Sequence, residues 1–418
     1  MDEISDNTII PSGYNPQLDK KETKTATQYI KNTFSEIYSE VMNVDEIPAP
    51  SFIEASTGIN DGLSGVEIPV RFNIETGQQV EVPFSLAKWK IDQVTEDGYS
   101  VDKGIFVRGT YFRPHEVLSN RHSWQLEQLD HETVISKSDR TDESLRKRVN
   151  KIYEVLNISY DKYQSKYGKG DLDLGKSVAF TTGDELQQMY PDLEPDERER
   201  EFVRNNPVAF VQGIGYPLGD FAPHGMRSPD YDDHLLNGDL VVWNDVIGDA
   251  LELSSMGIRV DKSAMVVQMF LKSFNTELSK AFGTSKKVAE LYARVAWDLR
   301  GLLENGAYSE LGSDDIMRVV GEDLVFSVAS LVASHSDDYV NYVKAAEIAI
   351  AEATKKMHTT RYHNEFMTKG KLQTFGGGIG LDRVAMLYMK KAHIAEVQPM
   401  PLLKETRTKL EDANIMAL

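Results

Sequence analysis

A chain of 418 residues can bury one large apolar core or two smaller ones, and 41% hydrophobic with 27% charged residues is ordinary for a globular protein. A net charge of −19 argues against a surface built mainly for nucleic acid, and no apolar run is long enough to span a membrane. The acidic, polar start MDEISDNTII shows no secretory signal, so a cytoplasmic location is expected, and the absence of cysteine removes disulfides, thiolate metal sites and cysteine nucleophiles together.

Residues 1–21 hold few apolar anchors and are expected to form a flexible tail. From Glu22 to Val41, the residues Tyr29, Ile30, Phe34, Ile37, Tyr38 and Val41 recur at helical spacing. Pro48 and Pro50 end that region, and a Gly-rich loop from Ser56 to Gly65 follows with a single acid, Asp61. A hairpin comes next. Val66, Ile68, Val70 and Phe72 alternate, Gly77 lies in the turn, and Val80, Val82 and Phe84 alternate back. Ser85 to Lys90 then sets Lys88 and Lys90 around Trp89.

The stretch from Thr110 to Glu132 reads as a strand ending at Arg113, a polar loop through Asn120, and a returning strand from His122. Alternation puts Trp124, Leu126, Gln128, Asp130 and Glu132 on one face. An apolar start that turns to amide and carboxylates on the same face points into a cleft. The loop carries Arg113, His115, Arg121 and His122, enough donors to grip a polyphosphate.

A helix from Glu143 to Tyr167 is expected to pack Leu145, Val149, Ile152, Val155 and Leu156 inward, with Arg146, Lys147, Arg148 and Lys151 on a solvated face. Residues 178–216 hold a strand at Val178 and Phe180, a helix near Asp184 to Met189, and a strand from Val208 to Val211. In residues 228–260 the acids Asp230, Asp232, Asp233, Asp239, Asp245, Asp249 and Glu252 crowd around two apolar strands, Leu240–Trp243 and Ala250–Leu253, before Arg259. That grouping suggests metal and cation ligands. For Glu252, Ser255 and Arg259 all to point inward, a bulge at Ser254–Ser255 is needed.

From Val260 to Gln398 there is no proline, and helical periodicity runs through Val288, Leu291, Tyr292, Val295, Leu299 and Leu302, then less cleanly through Val340, Val343, Ile348 and Ala351, with a break at Gly312–Asp315. His358 and His363 lack metal spacing and read as surface residues. Thr374 to Leu387, TFGGGIGLDRVAML, is a poor dinucleotide fingerprint, because too little chain follows it for a βαβ unit. It reads instead as a helix N-terminus approached by a ligand, with Arg383 in the first turn.

The Arg113–Glu132 segment resembles motif 2 of class II aminoacyl-tRNA synthetases, and GGGIGLDR resembles motif 3. Together with NDGLSG, SLAKWK, PDYDD, NGDLVVWN and ELSSMGIRVD, these blocks resemble the ammonia-dependent asparagine synthetase A (aspartate–ammonia ligase) family from about residue 22 onward. The resemblance implies an α+β fold with an antiparallel sheet flanked by helices, in a homodimer. Three departures stand out: Phe84 in place of a histidine, Leu129 and His131 in place of tryptophans, and an all-helical insertion at about residues 274–353.

By the same resemblance, ATP activates the aspartate β-carboxylate as an adenylate, ammonia displaces AMP, and pyrophosphate is released. Arg113 is expected at the α-phosphate, with Arg383, Arg121, His122, Glu116 and Glu252 on the nucleotide, and Asp239 and Glu252 on Mg²⁺. Asp130 and Asp232 would take the α-ammonium, Lys90, Arg259 and Ser255 the rest of the amino acid, and Gln128 the reacting carboxyl. Asp61 would bind ammonium and help deprotonate it. A cysteine-free chain favours free ammonia over glutamine as the nitrogen source. The competing readings are an amide ligase for another amino acid, a non-catalytic paralogue, and a tRNA binder, which the charge and the missing extra domain disfavour.

Overall fold

The computed structural model describes residues 8–62, 67–168, 170–332 and 339–418. Helix α1 (Lys20–Met42) opens on a reciprocal cap between Asp19 and Glu22, buries the stripe of Ile30, Phe34, Ile37 and Tyr38, and ends at the left-handed Asn43. Strand β1 (Val44–Glu46) follows. The short strands β2 (Ile53–Glu54), β3 (Arg71–Asn73) and β4 (Gln79–Glu81) form a small sheet of their own, with Gly77 at its turn at φ +81°. Then come α2 (Ala87–Glu96), β5 (Gly104–Phe112), β6 (Gln125–Val134), α3 (Asp142–Tyr167), β7 (Ala179–Thr182), α4 (Gly183–Met189), α5 (Pro195–Asn205), β8 (Val208–Gln212), β9 (Asp232–Asn244) and β10 (Asp249–Arg259). Five helices lead back to the sheet: α6 (Lys262–Phe282), α7 (Lys286–Glu304), α8 (Ser313–Val332), α9 (Tyr339–Thr359) and α10 (Arg361–Lys369). Strand β11 (Thr374–Gly380), α11 (Leu381–Tyr388) and α12 (Lys404–Asp412) complete the chain.

The large sheet runs β1-β5-β6-β11-β10-β9-β8-β7, antiparallel through its six central strands and parallel only at the edge pairs β1–β5 and β7–β8. Alternation sorts its faces. Leu129, Phe106, Met256, Ile258 and Phe375 point into a core closed by α1, α3 and α11, while Gln128, Asp130 and Arg259 line a cleft. Helices α6 to α10 share a second core built on Met265, Phe270, Phe274, Leu299, Val320 and Leu324, which also takes in Ile53 and Ile59 beside the Gly-rich loop.

Several expectations need correcting. The supposed loose tail is held from residue 9 on: Ile9 exchanges two hydrogen bonds with the Asn120 side chain, Tyr14 donates to Glu396 at 2.9 Å, and Leu18 is buried. Residues 1–7, and Val66 of the expected hairpin, lie outside the described residues. In that hairpin Ile68, Val70 and Phe72 are exposed while Val80 and Phe84 on the returning arm are buried, so alternation marked a buried face on the second arm only. Arg148 turns inward to Asp102 at 3.2 Å and lies over the Phe375 ring, since a long stem lets a guanidinium reach a polar partner from a buried position.

Helix α5 escaped the periodicity because few of its residues are apolar; Pro195 at its first turn and the Glu194–Glu197 box start it. The limits near residues 274 and 353 fall inside α6 and α9. On α9 the buried stripe is Tyr342, Ala345, Ala346 and Ala349, whereas Val340 and Ile348 face outward. The bulge of β10 lies between Glu252 and Ser254, one residue before the expected place, with a second between Gly257 and Arg259. His363 is fully buried, and its Nε2 meets Asp230 at 2.9 Å.

Candidate active site

The glycine run does not open a helix. Gly376, Gly377 and Gly378 lie inside β11, between β6 and β10, where side chains from both neighbours converge. A Cβ on Gly376 would stand 2.0 Å from Glu132 Oε2, one on Gly378 would stand 2.6 Å from Asp130 Oδ1, and one on Gly377 would meet Met256 at 2.5 Å. Glycine is needed there to admit the charged cage of the neighbouring strands. Arg383 then enters from the first turn of α11, donating to the Glu252 carbonyl at 2.7 Å and the Arg121 carbonyl at 3.2 Å.

One cleft, of about 290 Å³, is lined by Asp61, Lys90, Arg113, Glu116, Arg121, His122, Gln128, Asp130, Asp232, Glu252, Ser255, Arg259 and Arg383. Asp239 is not on that wall but touches it through Ser255 Oγ, which lies 2.8 Å from both Asp239 and Glu252. At one end Arg113 has its Nε buried without a hydrogen-bond partner among the described residues. His122 is held neutral, its pKa pushed down to about 3 by burial and by Arg383 and Arg121, so it adds no charge to the loop's grip. Arg121 is committed to the Ala250 carbonyl and to Asp249 at 3.5 Å.

At the other end Lys90 is fully buried, 4.0 Å from Asp130 and 3.8 Å from Glu132, and donates to the His131 carbonyl at 2.8 Å. Burial lowers its pKa against the pull of those carboxylates. Arg259 forks onto Glu132 at 2.8 and 2.9 Å and pairs with Asp232, whose own carboxyl is pushed up by burial. Tyr111 donates to Asp130 Oδ2 at 2.5 Å. Asp61 closes this end, accepting at Oδ2 from Ser85 at 2.8 Å and Tyr231 at 2.5 Å.

Three participants were missed. Glu132 was read only as a face residue, Tyr231 only as part of an acidic run, and Arg227, which pairs with Asp239 and lies 3.8 Å from Asp232, stands one residue before the block singled out. Asp239 is pushed up to about 7 by burial and by Glu252, while Glu252 is lowered despite its burial by Arg383 and Arg227. Among the described residues no three-carboxylate cluster lies in the cleft; the group formed by Asp92, Glu96 and Glu365 is elsewhere, and two of its members, Asp92 and Glu365, already pair with Lys371.

The family model described as aspartate-ammonia ligase matches residues 21–291 and 341–414. The aspartate–ammonia ligase of Lactiplantibacillus plantarum is 39% identical over 263 residues, 62% of this chain and 82% of that protein. The aspartate–ammonia ligase of Ligilactobacillus salivarius is 30% identical over 413 residues, 98% of this chain and 99% of that one. In fold the chain is similar to the asparaginyl-tRNA synthetase of Entamoeba histolytica, solved with asparaginyl-adenylate, at a TM-score of 0.52 and 10% identity, covering 91% of this chain and 66% of that one. The asparaginyl-tRNA synthetase of Pyrococcus horikoshii gives a TM-score of 0.51 at 12% identity, covering 90% and 68%. With a class II synthetase-like sheet carrying the cleft, and with the family's blocks lining it, this chain belongs to the aspartate–ammonia ligase family.

Proposed function

We propose that this chain makes L-asparagine from L-aspartate, ammonia and ATP through a β-aspartyl-adenylate, releasing AMP and pyrophosphate. One observation carries the reading: an Arg113 guanidine nitrogen with no hydrogen-bond partner among the described residues, a buried ionic cage and Asp61 share a single cleft. Amide formation in water needs a better leaving group than hydroxide. A β-carboxylate oxygen attacks the α-phosphorus, and the bond to pyrophosphate breaks. Arg113 neutralises the charge that builds on the α-phosphate, a fixed donor of the kind that lowers such barriers. Arg383 and Arg121, with neutral His122 and Glu116, hold the nucleotide.

Asp130 and Asp232 take the α-ammonium, Lys90, Arg259 and Ser255 the α-carboxylate end, and Gln128 the reacting carboxyl. Ammonium bound at Asp61 gives up one proton, and its lone pair forms the C–N bond. AMP leaves with the C–O electron pair, and nitrogen sheds a second proton. Asp239 and Glu252 would hold Mg²⁺. Their hard oxygens suit it, a single Ser255 hydroxyl proton cannot satisfy both carboxylates, and phosphate oxygens complete such sites. The ion would supply charge neutralisation on the phosphates.

In this reading the enzyme works in the cytoplasm as a homodimer on small molecules alone, and no described helix is long and apolar enough to cross a membrane. The helical elaboration around residues 274–353 is taken as a non-catalytic layer, supported by the unmatched stretch 292–340.

Asp61→Asn tests the scheme. It keeps the shape and removes the charge. Aspartate-dependent pyrophosphate exchange into ATP should persist while asparagine formation falls about 10²–10⁴-fold, the usual worth of a positioned acid or base. Loss of both together would refute this assignment of Asp61.

A further inference from the structure

We infer that Tyr231 is a positioning residue for the ammonia step: its hydroxyl holds Asp61 in place and ties it to the clamp around the amino acid. Tyr231 stands immediately before β9 and is 8% exposed, with its carbonyl bonded to the Val260 amide at 3.0 Å. Its hydroxyl donates to Asp61 Oδ2 at 2.5 Å, and Ser85 donates to the same oxygen at 2.8 Å. Its ring lies under the Arg259 guanidinium, 5.3 Å from centroid to Cζ, and Arg259 is gripped by Glu132. Burial and the nearby Asp61 and Asp232 raise its pKa well above 10, so the phenol stays a donor.

A rigid path therefore runs from Glu132 through Arg259 and the Tyr231 ring to Asp61. An acid that must meet a small cation at one point needs its rotamer fixed, and two hydroxyls converging on one oxygen do that. The inference rests on Asp61 handling ammonium.

Tyr231→Phe keeps the ring against Arg259 and removes only the donor. With the full-length enzyme, aspartate-dependent pyrophosphate exchange should stay within about twofold of the parent. The KM for ammonium should rise about 10-fold or more, as expected for a lost hydrogen bond to a charged group. Hydroxylamine, uncharged at neutral pH, needs no deprotonation before it attacks and should react at close to the parent rate. Ser85→Ala should give the same pattern more weakly.

Equal losses with both nucleophiles, or loss of exchange, would overturn the inference in favour of a structural role. Asp61→Asn in the same assay separates the two claims. If it loses ammonium but not hydroxylamine chemistry while Tyr231→Phe loses neither, only the role of Tyr231 falls. If Asp61→Asn uses ammonium normally, the reading of Asp61 falls and that of Tyr231 with it.

Discussion

His131 is wholly enclosed between the rings of Tyr38 and Phe375, each 5.3 Å away by centroid, and neither of its nitrogens has a hydrogen-bond partner among the described residues. Burial, with Lys90 and Arg259 adding repulsion, keeps its pKa well below the ordinary 6.5. A depressed histidine is neutral in both states above 6.5, so its titration takes nothing from stability there. Below 6.5 the unfolded chain takes up a proton that the folded chain refuses, and stability falls at up to about 1.4 kcal/mol per pH unit. His131→Phe should therefore gain stability over the parent as pH falls from about 6.5 to about 5, with a smaller, constant difference above 7, in denaturant unfolding at each pH. A pH-independent offset would mean that packing alone separates the two. The sequence marked His131 as a departure from its relatives, yet nothing in it told that the ring stands in an apolar slot. That Asp61, Lys90, Arg113 and Arg383 line one cleft was legible because their blocks are contiguous in sequence. Glu132, Tyr231 and Arg227 were not, because what defines them is a partner supplied by a distant strand or loop.

The short helical turn Ala55–Thr57 ends at Gly58, whose φ is +73° and where an added Cβ would stand 2.9 Å from Thr360 Cβ, so a side chain there is strained in both backbone and contact. Thr360 caps α10, and Ile59 joins the helical core, so the loop that carries Asp61 leans on the helical layer rather than on the sheet. Gly58→Ala should strain that contact and the backbone together, at a cost of about 1–2 kcal/mol. Asparagine formation should fall at least about tenfold while pyrophosphate exchange changes little, because the nucleotide end depends on β6, β10 and α11. Equal loss of both rates would show that the loop supports adenylation as well. At this scale the large strands and α1 were readable from periodicity. The glycine run was not, since a central strand of glycines carries no apolar alternation, and α9 misled because alanines rather than its larger apolar residues face inward.

Among the described residues, the two largest cores meet at a polar seam. The sheet core closes on α1, α3 and α11, and the helical core on α6 to α10, while charged pairs such as Lys88 with Asp230, and Arg259 with Glu132, run between them. Residues 292–340, which the family model leaves unmatched, contain most of α7, all of α8 and the start of α9. No described residue from 262 to 370 lines the cleft. This layer does reach the sheet domain: Trp297 donates to the Pro217 carbonyl at 2.8 Å and packs against Phe221, while Arg300 lies over Tyr216. Those contacts brace the segment that leads to Arg227. If bracing is only mechanical, Trp297→Ala removes a half-buried ring and one hydrogen bond at a cost of about 2–3 kcal/mol, below the full core value. The melting temperature should drop by several degrees, while kcat for asparagine formation, per folded molecule, stays within about twofold of the parent. A tenfold fall in kcat at unchanged melting temperature would reverse the assignment, making the added helices part of what holds Arg227 against Asp239.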